Sequence, residues 1–131
     1  MSEVTRLPAG GYTLVFPSIL AVTNPALMRD YSLDTLRDFA PLTVVGFIPH
    51  ARGFDVHGWY GLLLKAGTPP QVMDRRYAEV KGALDTQEVG EVFRAQDIEP
   101  GGMTPAEFTM LVREDLAMWK RTIVQLDITL Q

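Results

Sequence analysis

Hydropathy divides the chain near residue 67. Before it, apolar residues come in short continuous runs bounded by Gly and Pro; after it, they recur at helical spacing. Three runs rich in strand formers predict strands at residues 12–16, 42–48 and 59–64, delimited by Gly10-Gly11, Pro17, Pro41, Pro49 and Lys65-Ala66-Gly67. All three are apolar throughout, which predicts adjacent strands buried on both faces of one sheet. Between the first two, Asn24-Pro25-Ala26-Leu27-Met28 reads as the start of a short helix, with Asn as cap and Pro at the first helical position. Ser32 and Asp34 permit another helical turn through Leu36 and Phe39.

In the second part Thr68 can cap a helix whose first turn holds Pro69 and Pro70 and whose buried face is Met73, Tyr77, Val80 and Leu84. Thr86 starts a shorter helix whose apolar positions are Val89, Val92 and Phe93. Asp97 stands where a helix end adopts a left-handed conformation. Ile98-Glu99-Pro100 predicts a short edge strand, because Pro100 cannot donate within a central one. Thr104-Pro105-Ala106-Glu107 is a capping box with Pro at the first helical position. It opens a long helix with Phe108, Leu111, Val112, Trp119, Ile123 and Leu126 as its apolar stripe; Arg113, Glu114, Lys120 and Arg121 lie mostly off it. Strands followed by covering helices give one α/β layered domain over residues 1–131, with 1–10 as an N-terminal extension.

Length agrees with this: 131 residues suit one core. Hydrophobic residues at 47% and charged residues at 21% place the chain in the globular range. With 12 Lys and Arg against 16 Asp and Glu, the net charge of -4 supplies no general basic surface, so nucleic acid is disfavoured as a partner. The absence of Cys removes disulfides, thiolate nucleophiles, zinc fingers and iron-sulfur ligation. The uncharged stretch between Arg6 and Arg29 raises a signal peptide or membrane anchor. Pro8, Gly10, Gly11, Pro17, Asn24 and Pro25 interrupt it, and no small-x-small cleavage site follows, so the expectation is a cytoplasmic chain without membrane insertion.

Candidate chemistry is sparse. His50, Asp55 and His57 share one loop and could ligate a metal, but no fourth ligand is evident and the solvated reading is preferred. Ser18 lacks the Gly-x-Ser-x-Gly elbow, and two loop histidines leave no acid/base pair, so no enzyme, cofactor or metal is expected. Pro8-Ala9-Gly10-Gly11 reads as a plain turn, since an anion loop should open into a helix. The better anion candidate is the turn Pro17-Ser18-Ile19, because ligands of open α/β sheets sit outside strand carboxyl ends near helix N-termini.

The motif order is informative. Gly11-Tyr12-Thr13-Leu14, Asn24-Pro25-Ala26-Leu27 and Leu36-Arg37-Asp38-Phe39-Ala40-Pro41-Leu42-Thr43 resemble the first lobe of the tripartite tricarboxylate transporter receptors, the Bug family of extracytoplasmic solute receptors. Phe54-Asp55-Val56, Trp59-Tyr60-Gly61-Leu62, Ala66-Gly67-Thr68-Pro69-Pro70 and Thr104-Pro105-Ala106-Glu107-Phe108 resemble that family's C-terminal region. The resemblance implies a single lobe of a type II periplasmic-binding-protein-like fold, a small, mainly parallel sheet covered by helices. Residues 49–58 would then be a short junction replacing the second lobe, between which and the first the family holds small carboxylates. Ser18 matches a family Ser, whereas Phe16, Pro17, Ile19 and Leu20 replace small polar residues. The resemblance therefore implies weak or lost carboxylate binding, any residual site using Ser18 and the backbone N–H groups of Ile19 and Leu20. The alternative is an interaction module without a ligand, a homodimer paired through Pro17, Ile19, Leu20, Phe47, Ile48 and Phe54, which loss of a lobe would uncover.

Overall fold

The computed structural model describes residues 1–28, 30–48 and 58–126. After a 3-10 turn at Val4–Arg6 come α1 (Leu20–Leu27), α2 (Thr35–Asp38), β1 (Phe39–Ile48), β2 (Gly58–Lys65), α3 (Pro70–Leu84), α4 (Gln87–Ala95), β3 (Glu99–Pro100) and α5 (Pro105–Leu126). The α/β layering expected from the sequence is present, with a small sheet between helices.

Strand direction corrects one expectation. The sheet order is β2-β1-β3 and both pairings are antiparallel, not mainly parallel. Chain length explains it: nine residues separate Ile48 from Gly58, and a parallel return within one sheet needs a crossover of about a dozen or more. β1 starts earlier than expected, at Phe39, and takes in Pro41 at a register shift between Pro41 and Thr43. Pro41 is tolerated there because β3 pairs with β1 only at Gly46 and Phe47, leaving one side of β1 without a neighbouring strand at that level.

Residues 12–16 do not form the buried strand expected of them. They run extended along the outer edge of β2, tied by single bridges from Val15 to Leu63 and from Ser18 to Tyr60. Val15 N–H donates to the Leu63 carbonyl at 2.8 Å, Leu63 N–H returns a bond at 2.9 Å, and Gly61 N–H reaches the Pro17 carbonyl at 3.0 Å. Side chains alternate across this extended segment. Val15 packs on the core, whereas Tyr12 is 89% exposed and Phe16 59%. Phe16 lies flat on Tyr60, ring centroids 5.7 Å apart.

The first helix also departs from the reading. α1 begins at Leu20, so Asn24 and Pro25 fall in its last turn instead of opening it. Pro25 has no N–H for the carbonyl of Ala21 four residues back. The buried Thr35 hydroxyl donates to that carbonyl at 2.5 Å. Thr35 is held in place because Asp34 caps α2, its Oδ1 accepting from Leu36 N–H (3.0 Å) and Arg37 N–H (2.9 Å).

Downstream, local signals hold. Thr104 Oγ1 accepts from Glu107 N–H at 3.3 Å and the Glu107 carboxylate accepts from Thr104 N–H at 2.8 Å, the reciprocal capping box of α5. Those bonds hold the Glu107 carboxyl below its usual range. Thr86 caps α4, Asp97 is left-handed at φ 52°, and β3 is an edge strand. Thr68 is the exception, since Pro69 occupies the cap position of α3 and the Thr68 hydroxyl donates to the Lys65 carbonyl instead.

The core sits between the sheet and α5, with α1 beside them. Trp59 and Phe108 are fully buried and meet edge to face, 5.1 Å between centroids. The Trp59 indole N–H donates to Asp115 Oδ2 at 2.8 Å. A side chain at Gly61 would collide with Phe108, its Cβ falling 2.4 Å from Cζ, so the absence of one there lets α5 lie close on β2. Trp119 is half-buried and packs on this core, while Leu126, expected on the same stripe, is exposed.

Candidate functional site

The turn expected from sequence lies where the edge segment leaves β2 and enters α1. Pro17 is buried and its carbonyl is bonded to β2, which fixes the direction of the chain at Ser18. Eight residues of helix then point their N-terminus, the positive end of the peptide dipoles, toward this turn, and no acidic side chain occupies the first turn.

Its donors are nevertheless mostly engaged. Ile19 N–H, expected as a ligand contact, donates to the Trp59 carbonyl at 3.1 Å. Ala21 N–H bonds the Ser18 carbonyl at 3.0 Å, and Val22 and Thr23 N–H both reach the Ile19 carbonyl. Of the donors expected there, the Ser18 hydroxyl and the Leu20 N–H remain, joined by a long contact of 3.4 Å. The structure thus brings Ser18 and Leu20 together at a helix N-terminus and withdraws Ile19 N–H into the sheet edge.

Gly10 and Gly11 lie in a bend packed against α3. Gly11 has φ +73°, its carbonyl accepts from Arg76 Nε at 3.0 Å, and a Cβ there would sit 2.2 Å from Val72 Cγ1. His50, Phe54, Asp55 and His57 lie outside the described residues, as do residues 49–57 of the expected junction 49–58; among the described residues no His, Asp or Glu group is arranged to hold a metal.

The expected apolar face is only partly exposed. Pro17 is buried, and Ile19 and Phe47 are half-buried against the core, because the edge segment and β1 turn them inward. Leu20, 57% exposed, and Ile48 remain on the surface, joined by Tyr12, Leu14 and Phe16.

A second concavity, missed by the sequence reading, opens at the other end of α1. Its volume is about 550 Å³, and Arg37, Arg113 and Lys120 are among the residues lining it. The signal available was the spacing of Arg113 and Lys120 on α5, seven apart on one helix face; the opposing walls come from residues about 80 positions earlier and could not be placed from local pattern.

No family profile matches the chain. In sequence it is 30% identical over 128 residues to the UPF0065 protein of the tcbD-tcbE intergenic region of Pseudomonas sp. (strain P51), matching 93% of this chain and 38% of that protein's length. In structure it superposes on Rpa4515 of R. palustris with adipate with a TM-score of 0.86 at 13% identity, covering 98% of this chain and 82% of the other. The periplasmic binding protein BugD gives a TM-score of 0.86 at 12% identity, over 99% of this chain and 83% of that one. A third structure, a periplasmic transporter, gives 0.84 at 15% identity with the same coverage of both chains. Among the described residues no helix is long and apolar enough to cross a membrane. With a periplasmic-binding-protein fold and a UPF0065 sequence match that spans little more than a third of that protein's length, this chain is similar to the Bug-family proteins.

Proposed function

We propose that the chain acts as a single-lobe solute-binding protein with weak affinity for small carboxylates at the Ser18 turn. The likeness to Rpa4515 with adipate supports the ligand class. The observation that carries the reading is the donor count at the turn. A carboxylate leaving water needs several hydrogen bonds in return, and of the three expected donors the turn keeps two, a hydroxyl and one N–H, at the end of a short helix. Titration calorimetry with succinate, malate, glutamate and citrate tests it. Millimolar heats that vanish in Ser18→Ala support the proposal; micromolar binding, or binding indifferent to Ser18→Ala, overturns it.

A second reading rests on the exposed apolar residues. Tyr12, Leu14, Phe16 and Leu20 follow one another along the sheet edge and the start of α1, and a second copy of the chain is the occupant this reading assigns to them. Light scattering at micromolar concentration should then give a two-fold dimer that Leu20→Asp dissociates. A monomer throughout that range removes this reading and leaves the carboxylate proposal standing.

A further inference from the structure

At the end of α1 opposite Ser18, a groove runs between Pro25 and Ala26, the segment 31–37 and the middle of α5. Its volume of about 550 Å³ falls within the range of small-molecule sites, roughly 300–1,000 Å³. On α5, Arg113, Leu116, Ala117 and Lys120 follow the i, i+3, i+4, i+7 pattern and share one face. The two cations therefore stand about 10.5 Å apart along the axis, at 1.5 Å per residue, with apolar side chains between them.

Neither cation has a helical partner. The residues three and four away from Arg113 are Met110, Thr109, Leu116 and Ala117; those from Lys120 are Ala117, Leu116, Ile123 and Val124. All are neutral, and neither cation belongs to an ion pair among the described residues. Asp34 and Asp38, the acids at α2, are otherwise engaged. Asp34 accepts two N–H bonds as the cap of α2, and Asp38 holds Arg37 through Oδ1 to Nε and Oδ2 to the guanidinium, both at 2.9 Å. With Arg37 neutralised by Asp38, the groove still sets two cations, Arg113 and Lys120, against one lining carboxylate, Asp34, a local reversal of sign in a chain of net charge -4.

We propose that this groove binds an elongated aliphatic dicarboxylate, a site separate from the Ser18 turn. One carboxylate meets the Arg113 guanidinium, whose planar fork suits two parallel bonds; the other meets the Lys120 ammonium. The methylene chain lies over Leu116 and Ala117 against Pro25 and Ala26. Two heads and an apolar span define the specificity: a short diacid cannot reach both cations, and a monoacid leaves one unpaired.

The test is an amide-resolved NMR titration of the full chain with suberate, succinate and octanoate. Suberate at millimolar concentration should shift amides of residues 31–37 and 113–120 and leave 18–20 unmoved, with succinate and octanoate at least about fivefold weaker. Arg113→Gln and Lys120→Gln, both at exposed positions, should each weaken suberate by about fivefold or more without lowering Tm. Shifts confined to residues 18–20, no shifts at millimolar suberate, equal affinity for octanoate, or affinity unchanged in both variants would each overturn the proposal. Ser18→Ala separates the two sites: with succinate it should abolish shifts at the turn, and with suberate it should leave those of the groove untouched.

Discussion

Thr35→Val probes the unusual way in which α1 ends. Valine keeps the shape of threonine but removes the hydroxyl that reaches the Ala21 carbonyl, at a site where Thr35 is 2% exposed and Ala21 equally buried. Water cannot replace the donor cheaply, and Pro25 cannot supply it. Loss of the bond together with a buried acceptor left short of a partner should cost about 1–3 kcal/mol. For a domain of this length that lowers Tm by roughly 3–5 °C per kcal/mol, readable by thermal or urea unfolding. The decisive measurement is a cycle with Pro25→Ala. Alanine restores the N–H that an ordinary helix directs at the same carbonyl, so Thr35→Val should cost less by about 1 kcal/mol in that background. A Thr35→Val cost below about 0.5 kcal/mol, or one identical in both backgrounds, would refute the account.

Gly61→Ala should cost about 1–3 kcal/mol, because its Cβ would overlap Phe108, and adding Phe108→Leu should recover part of that loss in the same urea series. Trp119→Phe should be milder than Trp119→Ala, within about 1 kcal/mol against about 3, since the buried indole N–H has no hydrogen-bond partner among the described residues. Stability should be flat at neutral pH and fall on acidification below 4.5, the ordinary Glu value: Glu107, whose carboxyl is held down by bonds from Thr104, stabilises the fold while ionised and loses that contribution as pH falls through its depressed value. The Arg37 hydrogen bond acts likewise on Asp38. Glu107→Gln should flatten part of this acid slope in unfolding measured between pH 5 and 3, and an unchanged slope would contradict the capping-box account.

What could be read from sequence follows the range of the interactions involved. The capping box at Thr104, the left-handed Asp97 and the edge strand ending in Pro100 are each decided within a few residues, and all three appear as expected. The start of α1 is misplaced from sequence because Pro25 is a good first residue locally, and what lets it sit late in the helix is Thr35, a tertiary partner. Sheet direction is present in the chain as a length of nine residues, but the continuous apolar pattern of the runs points the other way. For residues 12–16 the extended backbone is legible and the burial is not: strand-forming residues at an edge keep alternate side chains in solvent. Ser18 is legible only through resemblance, and the engagement of Ile19 N–H by Trp59 only in three dimensions. The groove at Arg113 and Lys120 needs three segments to exist at all.

Both flanks of the sheet are blunted, by different means. On one, β3 is two residues long and ends in Pro100, which offers no amide hydrogen. On the other, β2 is covered by the extended residues 15–18, so its hydrogen-bonding row is spent before a second molecule can add to it. The covering strip is short and is anchored at its start by Gly11, whose carbonyl Arg76 grips from α3. The covering of that row therefore depends on a latch. A change that frees residues 12–18, such as Gly11→Val at a backbone angle valine resists, would unmask the row from Trp59 to Leu63 as a template for strand addition and turn a well-behaved domain toward ordered aggregation while its helices and its Trp59–Phe108 contact remained in place.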